Sequence, residues 1–172
     1  MSDPSITPEL VAAYWLCQRK AFLLLRGDGG EPPHGYIKLL DAHASKSLST
    51  FLDGLRTAGF EIQQSEGQEM VGHVDVIAHA TLKTDGLEAK IDALVRMRRG
   101  SLGTREHYEP HLVVGTHTIS QECKIRLAFI GHVLAEACHS HAEAGTIVNV
   151  AGSNSRKGLK PRNEAKRTGG FS

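Results

Sequence analysis

The chain has 172 residues, 40% hydrophobic and 23% charged, with a net charge of +1, a composition that suits one globular domain and excludes wholesale disorder. No apolar run approaches the ~18 residues of a membrane span. The longest near the start, Ala21 to Leu25, is too short for a signal-peptide core, so the reading is a cytoplasmic protein with no membrane partner.

Thr7-Pro8-Glu9 predicts a helix start, with Thr7 as cap, Pro8 in the first turn and Glu9 at the positive end of the dipole. Its apolar positions carry the predicted helix to about Arg26. A loop follows through Gly27-Asp28-Gly29-Gly30, which lacks the lysine and hydroxyl of a phosphate-binding loop. Leu39, Leu40, Leu48, Phe51, Leu52 and Leu55 recur at helical spacing and predict a second helix over Tyr36 to Ala58, stopped by Gly59. The texture then turns β-like, and strands are predicted over Phe60 to Gln64, Val74 to Leu82, Leu87 to Met97 and His107 to Thr116. Asp85-Gly86 and Arg98 to Gly103 read as turns, and Pro110 as an irregularity or an edge position. A long helix from about Ile119 to Glu143, capped by Ser120 or Thr118 and ended by Gly145, leads to a last strand over Thr146 to Val150. The domain is placed at 1–151. Residues 152–172 read as a basic, disordered tail: Arg156, Lys157, Lys160, Arg162, Lys166 and Arg167 stand against Glu164 alone. Such a tail suits contact with phosphates; a solvated chain end is the alternative.

The chemistry-bearing residues are sparse. Asp92 is a carboxylate inside the apolar run Ile91 to Val95. Buried, it needs a cation, a donor or a metal; the bland alternative is an outward-facing aspartate. Tyr108-Glu109-Pro110-His111 brings a carboxylate and an imidazole to the next strand, a donor set that can hold a divalent ion with Asp92. His73, Asp75 and His79 could ligate a metal but read rather as the solvent side of a strand; Cys138 to His141 could bind zinc but read rather as a polar helix end; Tyr14 and Trp15 read as core or helix-packing residues rather than a base-stacking platform. Cys17, Cys123 and Cys138 form neither a CxxC pair nor a disulfide framework.

In their order these features resemble the RecB-like branch of the PD-(D/E)xK nuclease superfamily over roughly residues 5 to 150. The carriers are Ile6 to Leu10 with Trp15 to Leu23, His43 in Leu40-Asp41-Ala42-His43-Ala44, Asp92 in its strand, and the strand entered by Tyr108-Glu109-Pro110 and followed by a long helix. The resemblance implies an α/β fold of restriction-endonuclease-like type, with a mixed central sheet flanked by helices after an N-terminal helical segment. It implies metal-dependent hydrolysis of single- or double-stranded DNA. Asp92 and Glu109 would bind Mg²⁺ or Mn²⁺, with His43 and His111 as further ligands, and Lys124 would join Asp92 and Glu109 as a catalytic group. Its subgroup joins the domain to a C-terminal ribonuclease-H-like domain, so a missing domain or partner protein is also expected. The departures are specific. The Glu-x-Lys strand reads His111-Leu112-Val113-Val114, and Lys124 stands on the following helix, where a solvent-facing role is the alternative. Cys17 is similar to the first ligand of the family's iron–sulfur cluster, but three cysteines at these positions exclude a four-cysteine cluster within this chain. A non-cleaving pseudo-nuclease that binds nucleic acid or protein, or a fragment of a larger nuclease, is the rival reading.

Overall fold

The computed structural model describes residues 5–28, 30, 32, 34–65, 74–97, 107–138, 142, 144–152 and 154–159. Gly29, the 98–106 turn, His73, His139 to His141 and the 160–172 stretch therefore lie outside the described residues. In chain order the elements are α1 (Pro8–Leu16), α2 (Gln18–Leu25), α3 (Gly35–Thr57), β1 (Ile62–Gln64), β2 (Val76–Thr84), β3 (Leu87–Met97), β4 (His107–Val113), α4 (Gln121–Cys138), β5 (Ala144–Val148) and β6 (Asn154–Gly158). The strands lie in chain order in one mixed sheet. β2, β3 and β4 form an antiparallel meander, β5 joins β4 in parallel after the α4 crossover, and β6 closes antiparallel on β5. The protein is thus of the α/β class. Among the described residues no helix is long and apolar enough to cross a membrane.

Two apolar clusters cover the two sheet faces. On one, Ile77, Leu94, Leu112 and Ile147 pack against Leu127, Ile130, Val133 and Leu134 of α4. On the other, Val76, Ala93, Val95, Val113 and Val148 meet Leu48 and Leu52 of α3. Local chemistry sets the ends. The Thr7 hydroxyl accepts from the Leu10 N–H at 3.3 Å, and the Ser120 hydroxyl from the Cys123 N–H at 3.3 Å. α3 stops as its glycine foretells: Gly59 takes φ +86°, while the N–H groups of Phe60 and Gly59 donate to the carbonyls of Leu55 and Arg56.

Four expectations are corrected. The first predicted helix is two, broken where Cys17 turns extended at φ −161°, ψ 108°; neither Gly nor Pro marks the break. Pro110 is neither edge nor irregularity. It is buried in a central strand, one residue before the β4–β5 ladder begins at His111. Gly145 lies inside β5 rather than ending α4, because a Cβ there would come within 2.9 Å of Leu127 Cδ1 and 3.1 Å of the Pro110 carbonyl oxygen. The basic stretch does not leave the fold at 152, since Asn154–Gly158 pair with Val148–Ala144 as β6.

Candidate functional site

The centre of interest is a fork in the sheet at Asp92. The C-terminal half of β3, Ala93 to Met97, pairs with His111 to His107 of β4. The N-terminal half takes a different neighbour. Ile6 bridges to Leu87, its N–H donating to the Gly86 carbonyl at 2.7 Å and its carbonyl accepting from the Glu88 N–H at 2.9 Å. At the point of divergence the Asp92 carboxylate bridges to β4 itself, its Oδ2 accepting from the Val113 N–H at 2.6 Å. A side chain thus satisfies a backbone donor that the ladder no longer reaches.

The β2–β3 ladder is interrupted at the same level. Ala78 pairs with Ala93 and Ala80 with Ile91, but His79 and Asp92 between them are not paired. Ala78 and Ala93 belong to the α3-side cluster, whereas Ala80 and Ile91 belong to the α4-side cluster. Both strands therefore exchange faces across this step. His79 makes the exchange with φ +55°, in the left-handed region that non-glycine residues seldom occupy. Around Asp92 the charged groups are Arg126 of α4, His79 of β2 and Glu9 of α1, with Arg126 Nη2 held 2.8 Å from Glu9 Oε1. Burial raises the Asp92 pKa above the ordinary carboxylate value; the Val113 N–H, Arg126 and His79 pull it back, and Glu9 adds to the rise.

Glu109 and His111 occupy the α3 face, since Val95 pairs with Glu109 and Ala93 with His111. Glu109 is 1% exposed. Both of its oxygens accept from Arg156, Oε2 from Nε at 3.2 Å and Oε1 from Nη2. Arg156 pairs with Thr146 on β5 and reaches back over that strand, so β6 supplies the counter-ion to a carboxylate on β4. Such a forked pair compensates a charge that would be prohibitive in an apolar layer. His111 is buried, its ring stacked on Phe51 of α3 at a centroid distance of 5.4 Å. Burial pushes the His111 pKa below the ordinary imidazole value; its bond to the Glu109 carbonyl and the Glu109 charge oppose this, and Arg156 reinforces it.

His43, on α3, lines a cleft of about 500 Å³ between that helix and the end of β5. Gly115 fixes the height of α3 above β4: a Cβ there would lie 1.9 Å from the Leu40 carbonyl oxygen. Lys124 is exposed on α4, the helix packed on the opposite face.

The structure therefore brings Glu109 and His111 together on one strand, sets Asp92 at the fork beside it, and gives His43 and Lys124 to different faces. Among the described residues no three His, Cys, Asp or Glu side chains gather where they could hold a metal ion. Sequence reasoning missed three members of the Asp92 environment. Glu9 was read only as a helix-start residue, and Arg126 went unassigned, although it stands two residues beyond Lys124; His79 was read as solvent-facing, which it is, but its place near Asp92 was not foreseen. No pattern in the sequence announces them, because they converge from α1, β2 and α4. No protein-family model matches the chain, and no curated protein does.

Proposed function

We propose that this chain is a degenerate nuclease module of RecB-like type that holds DNA without cutting it. The observation that carries this reading is the Glu109–Arg156 pair, in which a guanidinium occupies both oxygens of a carboxylate expected to bind metal. The scaffold half of the proposal is supported by the sequence of elements from α3 through the β2–β3–β4 meander to α4 and the parallel β5. Asp92 supports it too, standing where β3 parts from its neighbour. The restriction-endonuclease-like fold is accordingly part of the proposal.

Mg²⁺ and Mn²⁺ need several hard oxygen ligands at close range. Here Asp92 commits one oxygen to the Val113 N–H, Glu109 commits both to Arg156, and His111 lies under Phe51. These residues do not fit such an ion, and the reading uses no step through one. The affinity for DNA is ascribed to cations, Lys157 on β6 and those after it in the sequence, whose contribution weakens as salt rises.

A second reading, hydrolysis centred on Asp92, is favoured by Arg126 and His79 beside that carboxylate. One assay separates the two. Incubated with Mg²⁺ or Mn²⁺ and end-labelled single- or double-stranded DNA, the protein is expected to retard the DNA without shortening it. Shortened products that vanish in Asp92→Ala would replace the first reading by the second. The further domain or partner protein expected from the sequence remains part of the proposal, supported by the apolar surface that α1 and α2 leave in water.

A further inference from the structure

The cleft that His43 lines is composed unlike a cation site. Its polar wall on α3 presents His43, Lys46, Ser47 and Thr50, and among its described lining residues none bears a carboxylate. An ammonium one turn from an imidazole repels a divalent cation and attracts an anion. The rest is mostly apolar, made by Phe51 and Leu55 further along α3 with Val148 and Val150 opposite, where Asn149 adds one polar side chain. The Phe51 ring is held in place by its stack on buried His111. The cleft lies beyond the carboxyl ends of the parallel strands β4 and β5, the position at which open α/β sheets bind ligands.

A second observation concerns what keeps the cleft open. Gly115, Gly131 and Gly145 each have a neighbour within 3 Å of a built Cβ, so packing explains their lack of a side chain. Gly54 has no such reason. It sits within α3, at the cleft wall, with nothing within 4 Å of where its Cβ would be and no left-handed backbone angle. A helix is weakened by glycine relative to alanine, and here the weakening purchases only space.

We propose that this cleft binds a phosphate monoester carrying a flat ring, that is, a mononucleotide, free or as the 5′-phosphorylated end of a strand. Lys46 and His43 face the phosphate, Ser47 donates to it, and the base lies against Phe51, Leu55 and Val148 over the space left by Gly54. For a strand end the inference rests on the DNA-binding reading above; for a free nucleotide it stands without it.

The test titrates the full chain with dAMP, inorganic phosphate, and a short oligonucleotide with or without a 5′-phosphate, followed by amide NMR shifts and calorimetry. Saturable dAMP binding is expected, with shifts at Ser47, Gly54, Asn149 and Gly152, and much weaker binding of phosphate alone. Lys46→Ala should lower dAMP affinity by about tenfold, as for loss of one charge-assisted contact. Gly54→Leu should abolish binding while the thermal midpoint stays level or rises, and Lys83→Ala, a charge change on the distant β2–β3 hairpin, should leave it unaltered. A 5′-phosphate that strengthens oligonucleotide binding identifies the strand end as the ligand; dAMP binding without that gain identifies the free nucleotide. Absence of saturation by dAMP, or equal dAMP binding in Gly54→Leu, overturns the inference, even if long DNA is still retarded.

Discussion

Arg156 reaches across β5 to a carboxylate almost wholly withdrawn from water, so removing it leaves Glu109 without its forked partner and with His107 Nε2, 4.0 Å away, as the nearest described basic group. Because the arginine side chain is itself 60% exposed, the loss should fall below that of a fully buried pair. Arg156→Ala is expected to destabilise the fold by about 1–3 kcal/mol in urea titration, and Arg156→Lys, lacking the fork, to lie between. Two other residues give stability a pH signature of opposite signs. The Asp92 pKa is raised by burial. Its contribution is therefore fully present below the ordinary carboxylate value and lost as pH rises through the raised folded value. Asp92→Asn should accordingly gain relative to the parent as pH rises from mildly acidic to neutral. His111 is lowered by burial, so its contribution is present above the ordinary imidazole value and lost as pH falls through that range. Unfolding midpoints of the parent, Asp92→Asn and His111→Gln across this range decide both signs; an unchanged difference between parent and variant would remove that residue from the pH dependence.

Gly54 of α3 and Gly115, which meets α3 from just beyond β4, carry opposite expectations. Gly54→Ala meets open space and should stabilise the protein by about 0.5–1 kcal/mol, the helical difference between the two residues. Gly115→Ala, with its Cβ against the Leu40 carbonyl, should force α3 away from β4 and lower the thermal midpoint markedly. The elements were largely legible because their apolar periods were clean. Leu87–Met97 was foreseen residue for residue, and α3 to within a residue at each end. β6 was hidden by its composition: Asn-Ser-Arg-Lys-Gly carries no apolar alternation, and only pairing with β5 makes it a strand. The same distance in sequence hid the site. Asp92 stood out as a lone carboxylate among apolar residues, but its neighbours and the Arg156 partner of Glu109, 47 positions away, are joined only by the sheet.

Across the whole molecule the described surface is uneven. Tyr14 and Trp15, expected in the core or in helix packing, are 59% and 68% exposed, and Leu16 and Phe22 to Leu25 are exposed too on the α1–α2 pair. Three aromatic rings of ~150–250 Å² each already leave on the order of 350 Å² of apolar surface in water, at the level where patches begin to promote association. Arg19, Lys20 and Arg26 stand among them, Arg26 lying 5.5 Å over the Phe22 ring. The isolated protein should self-associate with rising concentration. Trp15→Ser with Phe22→Ser should reduce that in sedimentation runs while leaving the thermal midpoint nearly unchanged, since neither side chain belongs to a core cluster. A large loss of stability in the double variant would show instead that these rings hold the fold.

The bridge between Ile6 and the β2–β3 hairpin joins the first described residues to a turn eighty positions later. α1 itself packs on α4, so during synthesis Ile6 has no sheet edge until residues 86–88 have left the ribosome, and α1 has no helix to dock on until α4 follows. A segment made before the sheet is thus seated after it, and the Asp92 fork, which takes its donor from Val113, matures only once β4 is in place.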